Sequence, residues 1–106
     1  MIELRVLSRS EFPGHLPPMS KYVGRGTPAG NEFRIGQDGD RDTVIDKYIA
    51  LKSKDEAFVA WVKANFKGFH LVCHCAPKRC HAGWLMAIAN DLPYEPRRNV
   101  YLAVEC

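Results

Sequence analysis

The stretch Cys73-His74-Cys75-Ala76-Pro77-Lys78-Arg79-Cys80-His81 places three cysteines and two histidines within nine residues. One apolar run, Phe69 to Val72, precedes it, and another, Trp84 to Ala89, follows. Soft ligands and nucleophiles therefore crowd the turn between an expected strand and an expected helix. Two chemistries fit: a metal site, or a ligand-binding and catalytic loop at a helix N-terminus.

For a metal, Cys73 and Cys75 on one strand point to the same face, and Cys80 and His81 open the next helix. Cys73, Cys75, Cys80 and His81 meet the count for tetrahedral Cys3His zinc. The spacing, C-x-C-x4-C-H, is not the C-x2-C knuckle that gives the strongest signal. Neighbouring helical residues also diverge by about 100°, which sets Cys80 and His81 at odds as joint ligands. His70 and His74 are substitutes, or else core and solvated histidines. Cys75 and Cys80 could instead pair around a tight turn, which leaves a thiol redox reading open.

For a ligand, a helix beginning near Cys80 presents free amides and the positive end of its dipole. Lys78 and Arg79 stand just before it, where two cations become favourable if an anion occupies the site. The competing account is that both side chains reach solvent. Dipole and cations also favour thiolate, so Cys80 is the candidate reactive thiol and His81 its general base or acid. A buried, inert Cys80 is the alternative. No carboxylate lies in this turn, so a third catalytic group would come from Asp38, Asp40 or Asp42, which compete with a helix-capping role.

The elements that must position these groups follow from periodicity and punctuation. Residues 2–7 read as a strand, 9–20 as a Pro/Gly-marked loop, and 21–24 as a short second strand. From Gly24 to Gly39 five glycines and Pro28 form a loop of a length that is uncommon unless it binds something, the alternative being a surface excursion held by turns. Asp40 or Asp42 caps a helix to about Lys52, with Val44, Ile45, Tyr48 and Ile49 as its apolar stripe. Ser53 and Glu56 match a capping box for the next helix, whose core face is Phe58, Trp61, Val62 and Phe66, and Gly68 ends it. A strand over 69–75, a helix over 81–91 and a strand over 99–104 would make one βαβ unit with a parallel pair. The expected fold is α/β, a small three-layer sandwich with a partly parallel, Rossmann-like sheet of about four strands. In such sheets ligands bind beyond the carboxyl ends of strands, where residues 73–81 fall.

With 106 residues, 46% of them hydrophobic, the chain makes one domain over 1–106 and needs no metal staple to fold. A net charge of +3 and a pI near 8.7 permit phosphate contacts without the charge of a nucleic-acid coat. The N-terminus lacks a signal-peptide h-region, and no apolar run approaches the ~20 residues that span a bilayer. The expectation is a cytoplasmic protein with no membrane partner, its cysteines reduced or metal-bound.

The pattern Gly24-Arg25, Gly30-Asn31, Phe33, Ile35-Gly36, Arg41, Tyr48, then Leu71-Val72-Cys73-x-Cys75-x-Pro77-x-x-Cys80-His81 resembles domain-of-unknown-function family 4326. That resemblance covers roughly residues 22–90. It implies a small, bacteriophage-type protein, in the host cytoplasm if phage-encoded. The family usually has Asn-Pro-Phe where this chain has Asn31-Glu32-Phe33, an aromatic at His74, and Gly at Ala82. The resemblance further implies that the glycine-rich loop meets the Cys-His turn. Gly24, Arg25, Gly30, Asn31 and Arg41, with Lys78 and Arg79, would then grip a phosphate or ribose beside Cys80 and His81. Arg25 and Arg41 as salt-bridge partners of nearby aspartates is the competing view. The expected function is binding of a nucleotide or other phosphate-bearing ligand, with nucleotide or nucleic-acid processing as its enzymatic form. The alternative is a zinc-stabilised, non-enzymatic module that binds a host protein or nucleic acid.

Overall fold

Alternation organises the first strand. β1 (Ile2–Ser8) buries Leu4, Val6 and Ser8 on one face and exposes Glu3 and Arg5 on the other. The computed structural model describes residues 2–103. Within them a single 3-10 turn (Arg9–Glu11) follows β1, and the remaining elements are β2 (Ser20–Tyr22), α1 (Arg41–Lys52), α2 (Glu56–Phe66), β3 (His70–Cys73), α3 (His81–Ala89) and β4 (Val100–Ala103). The strands form one sheet in the order β2-β3-β1-β4. β3 runs parallel to both neighbours, with Val6 beside Leu71 and Tyr22 beside Val72. β1 and β4 are antiparallel, Ile2 opposite Ala103 and Arg5 opposite Val100. The chain is a mixed α/β protein with a partly parallel sheet of four strands and three α-helices, the expected class.

α3 lies on β3 and β1, and α1 and α2 pack in turn against α3. That position explains its sequence. Eight of its nine residues are buried, and it carries no Asp, Glu, Lys or Arg, because apolar neighbours surround it. α1 has an ordinary one-sided face, burying Val44, Ile45 and Tyr48. Asp40 caps it by accepting a hydrogen bond from Thr43 N at 2.8 Å.

Two expectations are corrected. Ser53 does not cap α2; it closes α1, and Asp55 accepts the bond from Phe58 N at 3.0 Å. The acid two residues closer to the helix displaces the serine of the apparent capping box. Nor do β3, α3 and β4 form a βαβ unit with a parallel pair. After α3 the segment 90–99 climbs back to the carboxyl end of β3, where Asn99 Nδ2 donates to Pro77 O at 2.7 Å and Val6 N donates to Asn99 O at 2.8 Å. β4 thus starts where β3 stops, and runs the opposite way along β1. The expected last strand residue, Val104, lies outside the described residues. No helix among those described is long and apolar enough to cross a membrane.

Candidate functional site

The carboxyl ends of β2 and β3 lead directly into the two segments that carry the candidate residues. Beyond β2, two consecutive turns fold the glycine-rich loop back on itself: Thr27 N and Thr27 Oγ1 both donate to Gly24 O, and Gly30 N donates to Thr27 O at 3.0 Å. A Cβ on residue 30 would stand 2.7 Å from Gly24 O and 3.2 Å from Arg25 Cα, so only glycine allows this closure. α1 then pins the loop from behind. The fully buried Tyr48 donates its hydroxyl to Ala29 O at 2.7 Å, and Asn31 Nδ2 donates to Val44 O at 3.2 Å. Asn31 Oδ1 accepts from Phe33 N at 2.9 Å, so both ends of that side chain shape the loop.

Beyond β3 the Cys-His turn packs inward. Cys73 and Cys80 are buried, Cys75 is half-buried and His74 is exposed. Cys80 is the N-cap of α3 and His81 its first residue. His81 Nε2 lies 2.7 Å from Val23 O, which accepts its proton, and leaves Nδ1 as the lone-pair atom facing Cys80 Sγ at 3.3 Å. The ring stands edge-on to Tyr48, with centroids 5.1 Å apart. Burial pushes the His81 pKa below its ordinary value, so the ring is neutral.

These segments meet in one cleft. Gly24, Arg25, Asn31 and Arg41 line it from one side, and Cys75, Cys80 and His81 from the other. Phe33, Ile35, Val44 and Ile45 supply apolar walls, and His74 sits at the rim, its Nε2 2.7 Å from Tyr22 Oη. The cleft is small, about 80 Å³, room for a single chemical group. An open basin of about 450 Å³ adjoins it and shares Arg25 and Asn31; Gly30 lines that basin and not the cleft. Among the described residues neither Arg25 nor Arg41 meets a carboxylate. Arg41 Nη1 donates to Arg79 O at 3.3 Å, which steadies the guanidinium without neutralising it.

The three thiols act on one another. The neighbouring sulfurs of Cys73 and Cys75, together with burial, push the Cys80 pKa up. Bonding to Cys80 lowers the Cys73 pKa and takes that of Cys75 down to about 5, with Arg41 adding a hydrogen bond and a positive charge. The thiolate of the cleft is therefore Cys75, while Cys80 holds its proton. Among the described residues no three His, Cys, Asp or Glu side chains have the arrangement of a metal site. The two nitrogens of His81 face Val23 O and the sulfur beside it.

Other candidates stand elsewhere. Arg79 does not reach the cleft; its side chain, 9% exposed, bonds Asp42 Oδ1 at 3.0 Å, Asp46 Oδ1 at 2.8 Å and Tyr94 Oη at 3.1 Å. Lys78 points to a separate depression beside Arg41 and Arg97. Asp38 accepts from Arg34 N, Asp40 caps α1 and Asp42 pairs with Arg79, so none of the three acids lines the cleft. The lining roles of Ile35, Val44 and Ile45 were not evident from sequence, where the last two read only as a helix stripe.

The family model for Domain of unknown function (DUF4326) matches residues 8–91. The chain belongs to this family. No curated protein and no solved structure matches it.

Proposed function

We propose that the cleft binds a nucleotide or another small phosphate-bearing ligand. The observation that carries this reading is that two guanidinium groups, Arg25 and Arg41, neither of which meets a carboxylate among the described residues, line one small cleft beside the N-terminus of α3. That helix end has no side-chain cap and no acid in its first turn, so its dipole adds to the two charges. A phosphate fits the cleft's volume, and the rest of the ligand would lie on Phe33 and Ile35 and out over the adjoining basin. Chemistry on such a ligand would fall to Cys75, the half-buried thiol beside Arg41, more readily than to Cys80 or His81, whose polar atoms are turned to the protein.

The test is thermal unfolding with nucleoside mono-, di- and triphosphates, ribose 5-phosphate and inorganic phosphate. A ligand at about 100 times its Kd should add about 2.7 kcal/mol of stability. That gain should vanish in Arg25→Ala and Arg41→Ala. No stabilisation by any of these compounds would sink the reading.

A second reading draws on the neighbouring thiols: a zinc-stabilised module in which Cys73, Cys75, Cys80 and His81 would have to shift from the arrangement above to hold the metal. It expects one equivalent of zinc in protein purified without chelators, and thiols that react only after denaturation. Metal-free protein with a reactive Cys75 would exclude it.

A further inference from the structure

The cleft is the middle of three depressions that share walls. The basin on one side shares Arg25 with it and also holds Arg34 and Lys52. A third depression, about 320 Å³, shares Arg41 with it and holds Lys78, Arg79 and Arg97. Two acids border this run, and each is already matched: Glu32 by Lys52 at 3.3 Å, and Asp42 by Arg79 at 3.0 Å. Arg25, Arg34, Arg41, Lys78 and Arg97 are left, and among the described residues none of their side chains meets a carboxylate. A mononucleotide would engage the cations around the cleft and basin and leave Lys78 and Arg97 unused. Repeated phosphates would engage all five.

Resting on the cleft reading above, we infer that the ligand is a single nucleic-acid strand laid across this run. One nucleotide enters the cleft, and flanking phosphates lie on Arg34 at one end and on Lys78 with Arg97 at the other. A single strand fits better than a duplex because the cleft is narrow and its mouth carries Phe33 and the half-exposed Ile35, apolar surfaces for an unstacked base. Paired bases cannot reach such a recess without leaving the stack.

The experiment is fluorescence anisotropy of the full chain with labelled oligothymidylate and oligouridylate about twelve nucleotides long, a length within the usual range of single-strand sites. Unlabelled mononucleotide and a duplex of the same length serve as competitors. Five phosphate contacts predict a slope of about −3.5 in log K against log salt, so affinity should fall about 100-fold between roughly 50 and 200 mM. Lys78→Glu and Arg97→Glu, both exposed and outside the cleft and the basin, should each weaken oligonucleotide binding several-fold and leave stabilisation by a mononucleotide unchanged. An oligonucleotide no tighter than a mononucleotide, or charge-reversal variants without effect, would overturn the strand and leave the cleft reading standing. Equal affinity for duplex would overturn the single-strand assignment. Failure of both mononucleotide and oligonucleotide to bind would remove the strand and the cleft reading together.

Discussion

On one wall of the cleft, Cys80 and His81 are 5% and 7% exposed, Cys80 turned to two other thiols and His81 to Val23 O. On the facing wall Arg25 stands exposed, and neither it nor Arg41 has a carboxylate within reach among the described residues. Cys80 and His81, the pair that reads as a nucleophile and its base, are thus the groups already satisfied by the protein, and only Cys75 on that wall is left half-buried. Chemical reactivity in a side chain and availability to a ligand are separate properties. Burial and hydrogen bonding decide the second.

Substitutions can break this contrast, and the largest effect should come from the closed wall. His81→Ala removes the bond to Val23 O and the ring packed on Tyr48, which should cost about 3 kcal/mol. Thermal unfolding would show a fall of more than about 10 °C for a domain of this size. An unchanged midpoint would mean that His81 is held for chemistry alone. Arg79→Ala comes next. It leaves two exposed carboxylates and Tyr94 without their donor, and solvent screening limits the loss to about 1–2 kcal/mol in a urea titration. Restoring that stability with Lys at position 79 would argue against the forked geometry.

A smaller effect belongs to pH. The pKa of His81 is lowered by burial, so near pH 6 the unfolded chain binds a proton that the folded chain refuses. The share of stability that depends on a neutral His81 is therefore complete above the ordinary histidine value of about 6.5 and declines as pH falls below it. The measurement is the unfolding midpoint from pH 8 to pH 5.5. His81→Gln should start lower but lack that part of the decline; a parallel decline in both proteins would assign it to other groups. Smallest of all is Arg25→Ala, which should change stability by no more than about 0.5 kcal/mol and yet abolish the stabilisation given by a phosphate compound. A large loss of stability would place Arg25 among the structural residues and erase the contrast.

Most local signals whose deciding partner lay close along the chain were legible in the sequence, the cap of α2 excepted, where Asp55 stands in for Ser53. The helix to Lys52, its aspartate cap and the glycine ending α2 depend on residues within a turn or two, and the structure has all three. The path after α3 was not legible, because it depends on Asn99 meeting Pro77 and Val6 across the molecule. The same distinction separates the basic residues. Lys78 and Arg79 look alike beside the Cys-His turn, but Asp42 and Asp46, a chain segment away, draw only the second inward. Likewise Cys80 outranked Cys75 on position at a helix end, whereas the contact with Arg41 that favours Cys75 is made between distant segments.

β1 has a consequence for how the chain comes together. It is an inner strand whose partners are residues near 71 on one side and near 101 on the other. A ribosome releases β1 before β3 and β4, so both of its edges stay bare until those neighbours have been made. Pairing over such distances along the chain is slow and arrives late. The nascent polypeptide, with Leu4 and Val6 uncovered and two strand edges open, is consequently the form of this protein most exposed to aggregation, and the one on which a chaperone would act.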